Sequence, residues 1–222
     1  MLPRELIGKA LAPGGVELRL IQHGRDFMIV LDRNELMNSR MSGSEEALAV
    51  STCERLDNPA AHILIGGYGM GFTLRAALGA LGPNAKLTVA ELVPEIIEWA
   101  RGPMAQLTAG CLDDPRVNLM FGDVVDVINA GDNSYDAILL DVDNGPDGLI
   151  TPANGRLYSQ KGLANARAAL RPGGILAIWS AAPDPNFSRK IGAAGFDVDE
   201  VVVRARSNGK GPRHVIWFAR KS

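Results

Sequence analysis

Acidic side chains follow three short apolar segments of this chain, each at the point where the segment ends. Glu91 closes "KLTVAEL", Asp123 follows "VNLMFG", and Asp141 and Asp143 end "YDAILLDVD". Such continuous branched segments are typical of strands in a parallel sheet. The carboxyl ends of those strands meet at one edge, where ligands bind in open α/β sheets. We therefore expect these acids to share one site, in which they accept hydroxyl or amino groups or take up a proton.

A glycine-rich turn precedes the first of these acids. In "HILIGGYGMGFTLRAAL" the residues Gly66, Gly67, Gly69 and Gly71 separate an apolar strand from a helix. Without a Cβ, this backbone can approach a ligand closely, although a glycine turn can also serve tight packing alone. The dinucleotide fingerprint needs another glycine three positions after the second, where Phe72 stands instead, so a nicotinamide dehydrogenase is the weaker interpretation. An evenly spaced G-x-G-x-G is typical of the first motif of class I S-adenosylmethionine-binding proteins.

The spacing of the acids predicts a role for each of them. Glu91 lies 20 residues after Gly71, where an acid can accept both ribose hydroxyls of a nucleoside, although it can also be a simple surface acid. Asp123 can accept an adenine amino group with Val124 beside the ring, or it can cap the following helix. Asp141, with Asp143 as the other candidate, can act as a base or contact the cofactor. The scattered histidines lack the spacing of ligands, so no metal site is predicted.

The elements that hold these residues follow a simple order. Residues 59–222 alternate apolar strands with helices, which predicts a doubly wound Rossmann-like α/β domain whose last two strands form an antiparallel hairpin. Residues 1–58 predict a small β-rich extension, with two strands around His23-Gly24 and one short helix. Ser44 is expected to cap that helix. A later helix is expected to run up to Pro172-Gly173-Gly174.

Composition excludes several classes of protein. The 23 basic and 25 acidic side chains nearly balance, which argues against a protein that mainly binds nucleic acid. No apolar run approaches the roughly 20 residues that span a bilayer, and the first residues lack a secretion signal, so we expect a cytoplasmic protein with no membrane partner. Cys53 and Cys111 have no motif partner and are expected to be buried free thiols.

Much of the chain resembles the spermidine synthase-like branch of the class I S-adenosylmethionine-dependent methyltransferase fold. The resemblance rests on "LDRNELMNSRMSGSEEALA", the glycine turn, "VAELVPEIIEWAR" and "PANGRLYS…ALRPGG". It implies a seven-stranded, mostly parallel sheet, a bound sulfonium nucleoside, a small-molecule acceptor and often a homodimer. It also implies a set of ligand-contacting residues: Gly66, Gly67, Tyr68, Gly69, Gly71, Glu91, Leu92, Asp123, Val124 and Asp141.

The chain departs from the pattern of those synthases at three places. Tyr68-Gly69 replaces an acid of their glycine turn, Asn144 replaces the second acid of their D-x-x-D-P loop, and 160–163 replaces an aromatic segment. Binding a diamine calls for carboxylates and aromatic walls. Methyl transfer from S-adenosylmethionine to an unknown acceptor is therefore the favoured expectation. The alternatives are aminopropyl transfer from decarboxylated S-adenosylmethionine and a non-catalytic nucleoside-binding protein.

Overall fold

The first part of the chain forms a small antiparallel sheet. The computed structural model describes residues 3–12, 14–31, 34–142 and 155–222. Its first four strands, in sheet order β1-β2-β3-β4, are β1 (Arg4–Ala12), β2 (Val16–His23), β3 (Asp26–Leu31) and β4 (Asn34–Asn38). The hairpin predicted around His23-Gly24 is confirmed as β2 and β3, and β1 and β4 flank it.

A seven-stranded sheet forms the body of the protein, as the resemblance implied. Its strands are β5 (His62–Gly66), β6 (Lys86–Glu91), β7 (Val117–Phe121), β8 (Tyr135–Leu140), β9 (Leu170–Ser180), β10 (Phe196–Arg204) and β11 (Arg213–Lys221). The sheet order is β10-β11-β9-β8-β5-β6-β7. All pairs from β9 to β7 are parallel, and β11 pairs antiparallel with both of its neighbours, which confirms the predicted terminal hairpin.

Helices connect these strands. They are α1 (Gly43–Leu56), α2 (Phe72–Ala80), α3 (Pro94–Arg101), α4 (Ala105–Thr108), α5 (Val124–Ala130), α6 (Gln160–Ala169) and α7 (Pro185–Ala193). Pro94 occupies the first turn of α3, where its missing N–H leaves no intrahelical bond unmade. None of the described helices combines the length and apolarity that a membrane crossing requires.

Two of the predicted helix boundaries are wrong. Ser44 does not cap α1: the helix begins at Gly43 with Ser42 in the cap position, and the Ser44 hydroxyl instead donates to the Glu45 carboxylate. The helix before the Pro172-Gly173-Gly174 segment, α6, ends at Ala169 rather than at that segment. The reason is that Leu170 already pairs with Tyr135, so the chain has joined the sheet before the glycines.

The core has two layers, one on each face of the large sheet. Ile63 and Ile65 of β5 face a cluster shared with the antiparallel sheet and α1 to α3, while Leu64 between them faces α5 to α7. This alternation is the period-two pattern of a strand buried on both faces. Helix α1 packs against α2 and β9, so the first 58 residues contribute both a sheet and a helix to the main core.

Candidate active site

The site lies where the strand order of the large sheet reverses. β6 and β7 extend from β5 to one side, while β8 and β9 extend to the other. At this point the β5–α2 turn meets the end of β8, and the Asp141 N–H donates to the Gly66 carbonyl at 3.1 Å. A crevice opens at such a switch point because adjacent connections leave on opposite faces of the sheet.

Gly67 shows why this turn requires glycine. Its φ is +83°, and a Cβ built on it would lie 2.6 Å from the main-chain oxygen of Asp141. Its N–H donates to the Ala90 carbonyl at 2.9 Å, which ties the turn to β6. The turn is therefore held closely between β6 and β8, and no larger residue fits there.

A single cavity brings together most of the predicted residues. The turn, the ends of β6 and β8, the start of α5, the first turn of α1 and the inner face of the antiparallel sheet all contribute to its wall. The lining residues are Ala12, Leu18, Ile29, Leu31, Leu36, Met37, Glu45, Gly67, Gly69, Ala90, Glu91, Leu92, Val93, Ile96, Gly122, Asp123, Val124, Asp141, Val142 and Trp179. The antiparallel sheet thus closes the apolar side of the cavity.

Glu91 is held rigidly at the end of β6. Only 4% of the residue is exposed. Its two carboxylate oxygens accept the N–H groups of Tyr68 at 2.8 Å and Val93 at 2.9 Å. Burial raises the pKa of this carboxyl above its usual range, and the backbone N–H groups oppose that shift. The N–H groups of Leu92 and Gly69 also act on this carboxylate, so it lies among main-chain donors at the cavity wall.

Asp123 caps helix α5, which is the structural alternative raised for it above. One carboxylate oxygen accepts the Val125 N–H at 2.8 Å, and the other pairs with the Arg156 guanidinium at 2.8 Å. Its neighbour Val124 lines the same cavity. Capping and ligand binding are compatible here, since Asp123 itself lines the cavity. The adenine contact stays a prediction.

Asp141 meets a second acid in the cavity. Its Oδ2 accepts the Thr73 hydroxyl of α2 at 3.0 Å. Glu45, from the first turn of α1, lines the same cavity and is 7% exposed. Burial raises the pKa of both carboxyls, and the negative charge of Asp141 raises that of Glu45 further. Two buried acids that act on each other favour a state in which one of them keeps its proton or a cation compensates the pair.

Glu45 is in turn the end of a hydrogen-bonded chain. The Ser44 hydroxyl donates to Glu45 Oε2 at 2.6 Å, and His214 Nδ1 of β11 lies 2.9 Å from the same hydroxyl oxygen. The His214 ring also packs edge-on against Trp179, with 4.8 Å between ring centroids. The indole N–H of Trp179 is buried and has no hydrogen-bond partner among the described residues.

Three of the predicted residues do not line the cavity. A Cβ on Gly66 would meet the Val124 side chain at 2.9 Å, so this glycine lets α5 approach the sheet. The Tyr68 side chain is buried with its hydroxyl 3.3 Å from Cys111 Sγ, and Tyr68 serves the site through its N–H. Gly71 is the N-cap residue of α2 and makes room for the Tyr68 hydroxyl. Asp143 lies outside the described residues. Cys53 and Cys111 are buried free thiols, as predicted.

Sequence reasoning missed Glu45, Thr73 and Trp179. Glu45 had a readable signal, because it stands on the buried face of α1 that continues through Leu48 and Thr52. An acid at the start of an apolar helical face is unusual and calls for a partner or a function. Thr73 and Trp179 carried no such signal, since a threonine after a glycine turn and a tryptophan in a strand are common core residues.

The charged side chains of the cavity lining, among the described residues, all carry the same sign. Every charged side chain that lines it, within the described part of the chain, is acidic: Glu45, Glu91, Asp123 and Asp141. Arg156 pairs with Asp123 from outside the lining. Among the described residues, no cluster of three or more acids, histidines or cysteines has the arrangement of a metal site. The lining, as far as the structure describes it, therefore favours a positively charged ligand over an anion.

The parallel sheet, its terminal antiparallel hairpin and the glycine turn at the switch point define a class I S-adenosylmethionine-dependent methyltransferase-like fold. Comparison with known families is more specific. The family model described as "Spermine/spermidine synthase domain" matches residues 42–191. The chain belongs to the spermine/spermidine synthase domain family, as the sequence resemblance indicated.

Curated relatives carry the name polyamine aminopropyltransferase. The chain is 35% identical to the one from Mycobacterium tuberculosis H37Rv over 124 residues, which is 54% of this chain and 23% of that protein. It is 31% identical to the one from Korarchaeum cryptofilum over 135 residues, 61% of this chain and 40% of that protein. The matched part thus spans less than half the length of these relatives.

Solved structures share the architecture over nearly the whole chain. Spermidine synthase from Thermotoga maritima superimposes with a TM-score of 0.76 at 20% identity, covering 98% of this chain and 73% of that one. A spermidine synthase in complex with the transition state analogue AdoDATO gives a TM-score of 0.75 at 20% identity, covering 98% and 72%. At this level of identity the likeness establishes the fold.

Proposed function

We propose that this protein is an aminopropyltransferase, which moves the aminopropyl group of decarboxylated S-adenosylmethionine to an amine acceptor of the polyamine class. Family membership and the names of the curated relatives support this alternative over methyl transfer, which the three departures from the synthase pattern had favoured. Glu45 supplies a carboxylate to the cavity that the glycine turn lacks.

The observation that carries the proposal is the all-acidic lining of the cavity. Decarboxylated S-adenosylmethionine carries a sulfonium and a primary ammonium, and the acceptor is a cation as well. S-adenosylmethionine itself bears a carboxylate, which would need a positively charged partner. The described lining contains four acids and no lysine, arginine or histidine. Repulsion from Asp141, with no basic side chain in the described lining to compensate it, therefore selects against the carboxylated form.

We propose a role for individual residues that line the cavity. Glu91 holds the ribose hydroxyls, Gly67 and Gly69 let the nucleoside lie against the turn, and Asp123 with Val124 contacts the adenine. The antiparallel sheet excludes water from the apolar side through Leu18, Ile29 and their neighbours, which strengthens the electrostatic contacts inside.

The reaction is an in-line displacement on the aminopropyl carbon attached to sulfur. The acceptor nitrogen forms a bond to that carbon, the carbon–sulfur bond breaks, and its electron pair neutralises the sulfonium to leave 5′-methylthioadenosine. The nitrogen must lose a proton before or during the attack, and Asp141 is the acceptor that we propose. Thr73 orients Asp141 for this role. Alignment of the two reactants contributes the larger part of the acceleration.

The test is a direct assay of the purified protein. Incubation with decarboxylated S-adenosylmethionine and 1,4-diaminobutane or 1,3-diaminopropane should yield 5′-methylthioadenosine and an aminopropylated amine in equal amounts. Asp141→Asn should reduce kcat by roughly 100-fold or more while the donor still binds. Methyl transfer from S-adenosylmethionine to these amines, without aminopropyl transfer, would contradict the proposal.

A further inference from the structure

Glu45 has an arrangement that the aminopropyl reaction does not by itself require. Glu45 is buried at the cavity wall, and Asp141 lines the same cavity. The Glu45 carboxylate accepts a hydrogen bond from Ser44, whose hydroxyl is bonded in turn to His214 of β11. Burying two carboxylates in one cavity, where one acts on the other, is unfavourable unless one is neutral or a cation compensates them. Within the described lining no basic side chain does so.

We propose that Glu45 exchanges a proton for a cationic group of the ligand, and that Ser44 and His214 stabilise the ionised carboxylate that remains. In the free protein Glu45 is a carboxylic acid. When a primary ammonium or sulfonium enters the cavity, the acid releases its proton to solvent and the carboxylate takes the positive charge as its partner. The inference rests on the proposed function for the identity of that ligand.

The hydrogen-bond chain is directed so that it stabilises the charged form. Ser44 has one hydroxyl proton, and that proton points to Glu45. In the second bond the oxygen of Ser44 must therefore accept, which makes His214 Nδ1 the donor. Burial lowers the pKa of His214, so the ring is neutral near pH 7 with its proton on Nδ1. Each donor strengthens the next, and both act on the carboxylate.

The charged groups around Glu45 in the described part of the chain are mostly acidic. Asp141 faces it from the end of β8 and Glu46 follows it on α1, and both raise its pKa. His214 reaches it from β11 through Ser44, while Trp179 of β9 brings no titratable group. Glu91 and Asp123 line the cavity from β6 and the β7–α5 turn. Among the described residues all of these neighbours except the neutral His214 are acidic, so in this proposal the cation that compensates Glu45 comes from the ligand.

Calorimetric titration in two buffers of different ionisation enthalpy measures the protons released on binding. With decarboxylated S-adenosylmethionine or 1,3-diaminopropane as the probe near pH 7, the wild-type protein should release a larger number of protons than Glu45→Gln, by about one. Glu45→Gln should also bind the probe roughly 10- to 100-fold more weakly. Glu46→Gln, which removes one charge from the same helical turn, should stay close to the wild type, because Glu46 makes the smallest contribution to the raised pKa of Glu45.

The pH dependence separates stabilisation of charge from packing. Ser44→Ala and His214→Leu should weaken binding near pH 7 and recover it as the pH rises, because Glu45 then ionises only at higher pH. His214→Gln retains a donor toward Ser44 and should follow the wild-type profile. A loss that is equal at every pH would show that Ser44 and His214 only pack, and would overturn their role.

The outcomes also separate this inference from the proposed function. If decarboxylated S-adenosylmethionine binds and Glu45→Gln matches the wild type in affinity and proton release, the inference fails and the function stands. Proton-coupled binding of 1,3-diaminopropane alone would support the inference and count against the function. Failure of both probes to bind would overturn both.

Discussion

Glu45 and Asp141 show how two side chains of the same type acquire an unusual chemistry from their surroundings. Each is an ordinary acid in sequence, but one starts the buried face of α1 and the other ends β8, so the fold brings them into one cavity. Burial raises the pKa of both carboxyls, and the negative charge of Asp141 raises that of Glu45 further. A cationic ligand would compensate these acids, because the described lining offers no basic side chain.

The raised pKa of Glu45 predicts a pH-dependent stability. The unfolded chain ionises this carboxyl near its ordinary value, while the folded protein keeps it protonated to higher pH. The contribution of Glu45 is therefore fully present below the unfolded pKa and is lost as the pH rises through the folded pKa. Between pH 5 and pH 8 the wild-type free energy of unfolding should fall more steeply than that of Glu45→Gln, by ~1 kcal/mol or more.

Urea denaturation of both proteins at the two pH values measures this difference. Glu46→Gln, one residue along the same helix, should keep the wild-type pH slope. Parallel slopes for the wild type and Glu45→Gln would show that Glu45 is already ionised at pH 5 in the folded protein.

Asp123 illustrates a residue for which sequence reasoning left two roles open. The structure shows the cap of α5 and an ion pair with Arg156, and it also places Asp123 in the cavity wall. Asp123→Ser keeps a capping oxygen and removes the carboxylate, so its melting temperature should stay close to that of the wild type. Asp123→Ala should lose about 1 kcal/mol of stability, since the cap is gone.

Binding then separates the two roles of Asp123. If the carboxylate contacts adenine, calorimetry should show both variants binding the donor more weakly than the wild type. Wild-type affinity in Asp123→Ser would leave capping as its whole function.

The elements were more predictable than the contacts between them. The strands, the glycine turn and the terminal hairpin could be read from the sequence because apolar periodicity and glycine placement are local properties. The end of α6 could not, since Leu170 leaves the helix to pair with Tyr135, a contact distant in sequence. The cavity acids at strand ends were expected because strand ends are local features of the sequence. Glu45 was not, because it lies on a helix whose packing depends on the tertiary fold.

The β5–α2 turn gives a prediction at this scale. Gly67→Ala forces a Cβ toward the Asp141 carbonyl at a φ of +83°, so it should destabilise the protein by about 1–3 kcal/mol as well as impair binding. Gly67 variants therefore do not isolate ligand binding from folding.

Gly79→Ala, at an exposed position within α2 with open space around it, should instead stabilise the protein by about 0.5–1 kcal/mol. Thermal unfolding of both variants provides the comparison, and a Gly67→Ala protein as stable as the wild type would contradict this account of the turn.

At the scale of the whole molecule, the antiparallel sheet and the large sheet share a core. Leu20 and Ile29 belong to the same apolar cluster as Ile63 and Leu74. Trp99 of α3 lies against Gly8 of β1, which places one tryptophan between the two sheets. The division of the chain at residue 58 stays a prediction about domains. The packing predicts that neither part unfolds alone.

Equilibrium unfolding tests this coupling. Tryptophan fluorescence and far-ultraviolet circular dichroism should give coincident urea transitions with one midpoint, as expected when the two sheets unfold together. A first transition seen by fluorescence alone, with the remaining secondary structure intact, would show that the antiparallel sheet separates from the body before the body unfolds.

The central claim is that an all-acidic cavity selects a doubly cationic nucleoside. The most direct measurement compares the affinity of the wild-type protein for decarboxylated S-adenosylmethionine and for S-adenosylmethionine, which differ only in one carboxylate. We predict that the decarboxylated form binds more tightly by roughly tenfold or more, the factor that about 1.4 kcal/mol of repulsion produces. Equal affinities, or a preference for the carboxylated form, would contradict the account.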